Sequence, residues 1–363
     1  MKIAVDVRMM NSSGIGSYIR HLVPLVIQSS PERGFYLLGR PEEMKRCKGF
    51  AQSPRIQWIE TTSPIFTISE QWELSRKIPQ DTHLFWSPNY NFPIFWRGKL
   101  LVTVHDVFHL VMGKEIGSFP KRFYARLMFN RLVRQAEAIL CVSHFTQGEL
   151  ARFTDVSSRK VKVIHNGVNE SWFKIKRRKN PRPRPYLLYV GNVKPHKNLS
   201  ALLEAFSFLK DKIPHDLVLV GQKEGFITGD SSVFEKAKGL KERVHFTGIV
   251  KEDLLGQYYA FADMLVFPSL YEGFGLPPLE AMACGCPTVV SKAASLPEVC
   301  GQATEYFDPK NPNEMAGKIL KVLQNKKLRE KLVKQGTKQV RQFTWKESAR
   351  RTCQVVDSLF IKP

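Results

Sequence analysis

Short apolar runs alternate with stretches of helical periodicity along almost the whole chain of 363 residues, and this alternation constrains the fold most. A chain that alternates strand and helix forms parallel sheets with helices on both faces. We therefore predict an α/β fold built from two Rossmann-like domains. The runs that predict buried strands are Ile3–Val7, Phe35–Leu38, Leu84–Trp86, Leu100–Val104, Ala138–Val142, Tyr186–Val190, Leu217–Val220, Val244–Phe246, Met264–Phe267 and Thr288–Val290.

The alternation is broken once, at the basic and proline-rich segment Lys174–Pro185. This segment contains no acidic residue, and its alternating prolines cannot continue a helix or a central strand. We interpret it as an exposed interdomain linker over residues 174–185, although a nucleic-acid-binding or nuclear-localisation role of the same run is an alternative. A chain of this length has room for two domains, which we place at residues 1–173 and 186–342.

The formal net charge of +22, from 55 Lys and Arg against 33 Asp and Glu, indicates an anionic partner. Residues 310–351 alone hold thirteen Lys and Arg against three Glu. We interpret this excess as attraction to an anionic membrane face or a lipid-linked acceptor. A nucleic-acid binder needs a recognisable module or interleaved aromatic and basic residues, and the sequence has neither, so we expect no nucleic-acid partner.

The N-terminus has no signal-peptide pattern, and no apolar run reaches the roughly 20 residues that span a bilayer. We expect a cytoplasmic protein, free or peripheral on the inner face of the cell membrane. The helical stretch Phe119–Gln135 mixes apolar residues with arginines. On a helical wheel we expect its cations to spread around the axis, which favours a partly buried helix at least as much as a lipid-binding one.

The loop Gly14-Ile15-Gly16 follows the first strand and opens a helix, as a phosphate-binding turn does. The third glycine of a dinucleotide-binding fingerprint is replaced by Ile19, and no acidic residue follows the second strand. The loop therefore departs from the dinucleotide-binding pattern, and we interpret it as a close approach of its backbone to a ligand.

The strongest functional signal lies between Pro268 and Pro287, directly after the strand Met264–Phe267. A Gly-x-Gly turn precedes a helix that we expect to begin near Pro277, so its backbone N–H groups and dipole favour an anion. Glu272 and Glu280 frame this turn, and carboxylates accept hydrogen bonds from sugar hydroxyls rather than from phosphate. The combination suits a sugar nucleotide, with hydroxylated rings on both sides of a diphosphate.

These residues resemble a known family. Two glutamates with seven residues between them, in Tyr-Glu-Gly-Phe-Gly-Leu-Pro-Pro-Leu-Glu-Ala-Met-Ala-Cys-Gly-Cys-Pro, resemble the hallmark of the retaining glycosyltransferases of family 4. That family has the GT-B fold, two Rossmann-like domains facing an interdomain cleft. Further segments in family register are Val104–Asp106, Val142–Thr146, Ile164–Val168, Tyr189–Asn198, Val244–Gly248 and Leu296–Val299. The resemblance also implies that residues 343–363 form a helix that crosses back to the N-terminal domain.

The resemblance assigns roles to individual residues. Glu280 would hold the ribose hydroxyls and Glu272 the hydroxyls of the transferred sugar, while Phe274, Gly275 and Leu276 would present backbone to the sugar and the distal phosphate. Lys197 would neutralise the diphosphate as it leaves, and His105 would lie over the transferred sugar. The further donor-binding candidates are Gly16, Gly191, Lys194 and Val250. Gly16 would approach the diphosphate, and Val250 would lie near the base. Lys194 would replace an arginine that relatives carry at the position where this chain has Asn192.

The function implied is transfer of a hexose from a nucleotide-diphosphate sugar to a glycan or a lipid-linked acceptor in cell-surface polysaccharide biosynthesis. The resemblance to bacterial mannosyltransferases makes GDP-mannose the first donor and a UDP-sugar the second; a GT-B-fold sugar-nucleotide epimerase is a further alternative. We expect retention of configuration, and no metal or cofactor, because the chain has no Asp-x-Asp cluster and cations with helix N–H groups can stabilise the leaving diphosphate. Glu272 would then organise the site rather than act as general base.

Overall fold

The computed structural model of the chain contains two parallel β-sheets, each packed against helices. It describes residues 1–40, 53–111, 119–222, 231–240 and 242–361. The sheets belong to two separate units. The first unit comprises Met1–Gly167 together with Thr344–Pro363, and the second comprises Val168–Phe343. The prediction of an α/β fold with two Rossmann-like domains is therefore confirmed.

The described part of the first unit has seven strands in the order β3-β2-β1-β4-β5-β6-β7, and all neighbours are parallel. Its central strands are continuous apolar runs because both faces of the sheet are covered. The elements in chain order are β1 (Lys2–Asp6), α1 (Ser13–Gln28), β2 (Gly34–Gly39), β3 (Ile56–Glu60), α2 (Ile68–Lys77), β4 (Leu84–Ser87), β5 (Lys99–Val104), α3 (Phe108–Val111), α4 (Phe119–Gln135), β6 (Ala138–Cys141), α5 (His144–Phe153) and β7 (Val161–Val163).

The second unit repeats this architecture with strands in the order β10-β9-β8-β11-β12-β13, again all parallel. Short 3₁₀ turns occupy Glu170–Lys174 and Pro195–Lys197. The remaining elements are β8 (Tyr186–Val190), α6 (Leu199–Ser207), β9 (Asp216–Val220), α7 (Ser231–Lys238), β10 (Val244–Gly248), α8 (Glu252–Phe261), β11 (Met264–Phe267), α9 (Leu276–Ala283), β12 (Thr288–Ser291), α10 (Leu296–Cys300), β13 (Glu305–Phe307), α11 (Pro312–Gln324) and α12 (Lys326–Val340).

Each sheet has one point at which the strand order reverses direction. In the first sheet it lies between β1 and β4, and in the second between β8 and β11. The helices that leave two neighbouring strands at such a switch point cover opposite faces, which opens a crevice beyond the carboxyl ends of those strands. Ligands of doubly wound proteins bind in this crevice, so the loops after β1, β4, β8 and β11 are where chemistry is expected.

A last helix, α13 (Trp345–Ser358), belongs to the first unit and packs along α1. Its Trp345 ring is stacked on His21 at 5.7 Å, and Ser348 donates a hydrogen bond of 2.6 Å to the carbonyl of His165. Gly167 lies so close to the backbone of Trp345 that a Cβ at this position would overlap it. The chain therefore returns to its first unit after completing the second.

The division between the units lies at Gly167 and Val168, whereas the sequence-based boundary lies at residue 173. The basic segment 174–185 belongs to the second unit, because hydrogen bonds hold its backbone and side chains there. Arg177 donates to the carbonyl of Ala260 at 2.7 Å, and Gln257 accepts from the N–H of Arg178 at 2.9 Å.

The exposed half of α4 carries all four of its arginines. The buried half consists of Ala125, Met128, Phe129, Leu132 and Val133. The expectation that the cations spread around the helix axis was therefore wrong, because all four arginines lie on the exposed half of the helix. The exposed residues are Arg122, Phe123, Arg126, Leu127, Asn130, Arg131 and Arg134. Among the described residues, no helix has both the length and the apolar character to cross a bilayer.

A substitution at Gly221 tests the close backbone contact between Gly221 and Gly191, which follow the neighbouring strands β9 and β8. The φ of Gly221 is +149°, and a Cβ there would overlap the carbonyl of Gly191. We expect Gly221→Ala to lower the free energy of unfolding by about 2–4 kcal/mol through overlap and backbone strain. Chemical denaturation measures this change.

Gly148→Ala is the matched control, because Gly148 lies in α5 with nothing within 4 Å of an added Cβ. An alanine in a helix is better than a glycine by about 0.5–1 kcal/mol, so this variant should be neutral or stabilised. Equal stability of the two variants would contradict the packing argument.

Candidate functional site

The switch point of the second sheet holds an ion pair. Lys197 comes from the loop after β8 and Glu272 from the loop after β11, and Lys197 Nζ lies 2.6 Å from Glu272 Oε1. Their side chains are 19% and 13% exposed, so the pair is largely withdrawn from water yet open at one side. The structure thus brings together two residues that the sequence assigned to separate tasks.

Hydrogen bonds fix the loop that carries Lys197. Asn198 takes a left-handed conformation (φ 58°), and its side-chain amide donates to the carbonyls of Pro268 at 3.2 Å and Pro309 at 2.8 Å. The Leu270 N–H donates to the carbonyl of His196 at 2.8 Å. Asn198 stands at the N-cap position of the following helix, where an asparagine side chain commonly caps, but here the side chain joins two loops instead.

Gly191 begins the same loop, with φ +153°, and a Cβ here would lie 2.6 Å from the Tyr189 hydroxyl oxygen, while a Cβ on Gly221 would overlap the Gly191 carbonyl. Asn192 follows, and its Oδ1 accepts from the N–H of Gln222 at 3.3 Å. This side chain therefore links the loops after β8 and β9. Relatives were expected to carry an arginine here, and the structure gives the asparagine a backbone-linking task in its place.

The turn after Glu272 leads into α9 as the sequence predicts. Gly275 is the N-cap residue with φ 96°, and Pro277 occupies the first turn. A Cβ on Gly275 would lie 2.6 Å from the Leu296 side chain, which restricts this position to glycine. Ser295 Oγ donates to the carbonyls of Glu272 at 2.9 Å and Phe274 at 3.0 Å. At this end of α9 only Gly275 and Leu276 provide N–H groups that the helix does not use, because Pro277 and Pro278 have none, and these two donors can bind an anion.

Glu280 lies in the second turn of α9, where Tyr259 donates a hydrogen bond of 2.9 Å to its Oε2. Burial raises the pKa of Glu280 to about 7; the Glu252 carboxylate adds to this rise, and the Tyr259 hydrogen bond opposes it. Burial of a carboxyl group costs free energy, and Tyr259 binds only one of its two oxygens. The Glu280 carboxyl group is therefore suited to accept hydrogen bonds from hydroxyl groups of a ligand.

His105 lies in the first unit, directly after β5. Its Nε2 is 2.9 Å from the carbonyl of Pro88, which can only accept, so Nε2 carries the proton and Nδ1 is left as an acceptor. Burial lowers the pKa of His105, which keeps the imidazole neutral at pH 7. Its ring meets Tyr18 edge-on at 4.8 Å. The neighbouring Asp106 carboxylate accepts a hydrogen bond of 3.0 Å from the N–H of Phe108.

The other sequence candidates lie at carboxyl ends of strands. Gly16 is in the first turn of α1, where a Cβ would lie 2.5 Å from the carbonyl of Met10, so close packing already accounts for this glycine. Lys194 precedes the 3₁₀ turn that contains Lys197. Val250 lies half-buried after β10. Their roles toward a ligand stay predictions.

Sequence reasoning missed three residues that shape the site: Tyr259, Ser295 and Asn198 in its linking role. The first two lie far along the chain from the carboxylate and the carbonyls that they bind. Only the parallel register of β11 and β12, which brings the following loops side by side, reveals Ser295. In the second unit the arrangement offers one cation, one helix N-terminus and two carboxylates, which together can hold a phosphorylated and hydroxylated ligand.

Two protein-family models match the chain. The model described as "Glycosyltransferase Family 4" matches residues 53–172, and the model "Glycosyl transferases group 1" matches residues 170–339. Together they cover most of both units.

The chain is similar in sequence to several bacterial enzymes of surface-polysaccharide synthesis. It is 28% identical to O-antigen chain mannosyltransferase B of Escherichia coli, over 74% of this chain and 73% of that protein. It is 30% identical to O-antigen chain mannosyltransferase RfbU of Salmonella typhimurium, over 59% and 62%. The match to the serotype-specific mannosyltransferase WbdA of Escherichia coli, at 29% identity, covers 69% of this chain and only 32% of that longer protein.

Solved structures share the fold over the full length. The Anabaena protein HepE in complex with UDP-glucose gives a TM-score of 0.79 at 17% identity, covering 99% of this chain and 100% of that one. WaaG, a glycosyltransferase of lipopolysaccharide biosynthesis, gives 0.74 at 13% identity, covering 98% and 99%. Sucrose-phosphate synthase from Thermosynechococcus elongatus gives 0.78 at 20% identity, covering 99% of each chain.

The raised pKa of Glu280 predicts a pH-dependent stability. The folded carboxyl, with a pKa of about 7, binds a proton that the unfolded one, near 4.5, has already lost. Stability from this group therefore falls as pH rises from 4.5 to 7 and stays reduced above 7, by about 3 kcal/mol. Glu280→Gln, which can still accept from Tyr259, should remove this loss, so the variant should gain stability over the parent at pH 8.

Denaturation of both proteins at pH 5 and pH 8 measures the difference between their two pH trends. All other titrating groups are shared, so they cancel in the comparison. Parallel trends would contradict a raised pKa at Glu280.

Proposed function

Since the chain belongs to the glycosyltransferases of family 4, with the GT-B fold, we propose that it transfers a hexose from a nucleotide-diphosphate sugar to a glycan or lipid-linked acceptor. The observation that carries this proposal is the ion pair of Lys197 and Glu272 beside the N-terminus of α9. It provides a positive charge for a diphosphate and a carboxylate for sugar hydroxyls at one end of one sheet.

The diphosphate competes with Glu272 for Lys197. Because the pair is largely withdrawn from water, Lys197 needs an anionic partner, and the diphosphate supplies one when it takes the place of Glu272. The doubly charged ligand then gains the ammonium of Lys197 and the N–H groups of α9. Glu272, once released, accepts hydroxyls of the transferred sugar, and Glu280 accepts those of the ribose.

We propose that the reaction retains configuration and needs no metal. The bond between the sugar C1 and the diphosphate oxygen breaks, and the acceptor oxygen bonds to C1 on the same face. The acceptor proton passes to the departing phosphate oxygen. Glu272, released from Lys197, organises the site by holding the sugar, while Lys197 and the N–H groups at the start of α9 stabilise the negative charge that develops on the diphosphate. His105 contributes its neutral Nδ1 as an acceptor for a sugar hydroxyl.

Mannose from GDP-mannose is the first donor that we propose, in O-antigen or related surface-polysaccharide synthesis. The support is that the three sequence relatives named above are mannosyltransferases, two of them of O-antigen chains. A UDP-sugar is the second, because the HepE structure with the same fold holds UDP-glucose. A sugar-nucleotide epimerase of this fold is the remaining alternative, and incubation of the donor alone distinguishes it.

A nucleotide screen tests the proposed donor. A ligand that binds only the folded state raises the unfolding temperature, and the shift grows with the ratio of its concentration to Kd. We expect GDP and GDP-mannose to give the largest shifts, and NMR of the product to show the anomeric configuration of the donor. Turnover should persist in EDTA. No shift with any GDP or UDP compound, or an epimeric product from donor alone, would overturn the proposal.

Lys197→Ala provides the residue-level test within the same assay. Loss of one preorganised stabilising group costs about 10²–10³-fold in kcat. Lys197→Arg keeps the charge and should retain more activity. The matched control is Lys236→Ala, since Lys236 pairs with Glu204 on the exposed surface of the same unit and should be near neutral. Normal turnover in Lys197→Ala would remove this site from consideration.

We also propose that the first unit binds an anionic membrane surface through α4, where the acceptor would be lipid-linked. The sequence of α4 contains five cations and no acidic residue. Phe123 is 61% exposed and Leu127 is 41% exposed, between the arginines on the same half of the helix. Exposed apolar side chains among cations are typical of helices that lie in a lipid interface, where each cation near an anionic surface contributes about 1 kcal/mol.

Cosedimentation with phosphatidylglycerol vesicles tests this surface. The triple variant Arg122→Gln, Arg126→Gln, Arg134→Gln should lose at least tenfold in vesicle partitioning at low salt. The control removes the same charge from the exposed face of α12, with Lys331→Gln, Lys334→Gln and Lys338→Gln, and should lose much less. Phe123→Ser with Leu127→Ser should abolish the binding that resists salt. Equal losses in both triple variants would mean that net charge alone, rather than α4, drives binding.

A further inference from the structure

A buried polar cluster occupies the switch point of the first sheet. Arg8 follows β1, and its guanidinium is held by Asp6 through two hydrogen bonds, of 2.8 Å from Nε and 2.6 Å from Nη2. Nη2 also donates to Glu70 of α2. Glu70 Oε1 accepts in addition from Asn91, which follows β4, at 2.7 Å. The cluster therefore joins the loops on both sides of the crevice between β1 and β4.

One donor of this cluster has no partner. Arg8 Nη1 is buried and makes no hydrogen bond within the described part of the chain, and the side chain is only 5% exposed. A buried N–H group without an acceptor costs free energy, and native structures rarely keep one unless a ligand or water completes it. Its position beyond the carboxyl ends of β1 and β4 is where a doubly wound sheet binds ligands.

The same carboxylate holds an aromatic side chain at the surface. Glu70 Oε2 accepts from the Phe66 N–H at 2.7 Å, and Phe66 takes a φ of +66°, which is unfavourable for a bulky residue. Its ring is 41% exposed and stacks on Tyr90 at 5.6 Å. Backbone strain of this kind persists only where the surroundings enforce it, and it is concentrated at ligand-binding positions.

The charges of the cluster decide the class of ligand. One guanidinium faces the two carboxylates of Asp6 and Glu70, so the cluster carries no positive excess that would attract a phosphate or a carboxylate. A free guanidinium N–H can donate to a neutral hydroxyl oxygen, and an exposed aromatic ring covers the apolar face of a sugar ring. Both features together suit a neutral pyranose.

We propose that Arg8 and Phe66 form the subsite for a neutral sugar unit of the acceptor, which rests on the glycosyltransferase function proposed above. Arg8 Nη1 donates to a hydroxyl of this sugar, and the ring of Phe66 stacks on it. A small shift of the strained Phe66 segment gives the hydroxyl access to Nη1. Glu70 is a positioning residue, since it holds Arg8, Asn91 and the Phe66 backbone at once.

Acceptor kinetics at saturating donor test the subsite, with methyl α-mannopyranoside and its gluco and galacto counterparts as acceptors. Phe66→Leu keeps an apolar side chain but removes the ring, and we expect acceptor KM to rise about tenfold. Arg8→Lys keeps the charge that Asp6 and Glu70 require but loses Nη1, and should raise acceptor KM at least as much. Donor KM and the rate of donor hydrolysis should stay unchanged in both.

Phe153→Leu is the matched control, because Phe153 is 39% exposed on α5 of the same unit and lies outside the cluster. Its acceptor KM should equal that of the parent. Unchanged acceptor KM in Phe66→Leu and Arg8→Lys, or a preference of the parent for mannose 1-phosphate that Arg8→Lys abolishes, would overturn the neutral-sugar subsite.

Saturation-transfer NMR with the same methyl pyranosides separates the two proposals, because it needs no turnover. Transfer to the pyranoside in the parent but not in Phe66→Leu supports the subsite even if no donor is used, in which case the proposed function alone fails. Donor turnover with equal saturation transfer in the parent and both variants leaves the proposed function intact and overturns the subsite.

Discussion

The ion pair of Lys197 and Glu272 is the interaction on which the chemistry of the second unit depends. It joins the loops after β8 and β11, two neighbouring parallel strands at the point where the strand order reverses. Both loops are otherwise fixed through backbone atoms, by Asn198 on one side and Ser295 on the other. The pair is therefore the part of this framework that a charged ligand can rearrange without disturbing the fold.

The sequence predicted the family, the fold class and the central strands, because these depend on strong local signals. Every predicted strand is present, and the strands that were missed, Ile56–Glu60, Val161–Val163 and Glu305–Phe307, lie at sheet edges. These three strands are partly exposed and have no continuous buried run, whereas the edge strand β10 was predicted from Val244–Phe246. In the strand Ile56–Glu60, with the sequence Ile-Gln-Trp-Ile-Glu, no residue on either face is fully buried.

Side-chain partnerships could not be predicted in the same way. The roles of Lys197 and Glu272 were inferred separately because 75 positions separate them along the chain. Likewise Arg8 and Glu70 are 62 positions apart, and neither lies in a motif that the sequence singled out. Such pairs are products of strand order, which places loops from distant parts of the chain side by side. Asn198 has a residue type and a position typical of a helix cap, yet its side chain binds the carbonyls of Pro268 and Pro309 in two other loops.

The two switch points use the same geometry for opposite purposes. In each unit a cation follows the first strand. In the second unit Lys197 pairs with Glu272, which follows the neighbouring strand β11. In the first unit Arg8 pairs with Glu70 of α2, and Glu70 also binds Asn91, which follows the neighbouring strand β4. Lys197 is a flexible point charge with one acidic partner, so an anionic ligand can take that partner's place. Arg8 is a planar fork held by Asp6 and Glu70 in full burial, so it cannot follow a ligand and can only present a fixed N–H. A mobile cation fits a leaving diphosphate, whereas a fixed and neutralised one fits an uncharged acceptor whose hydroxyl must be held in one position.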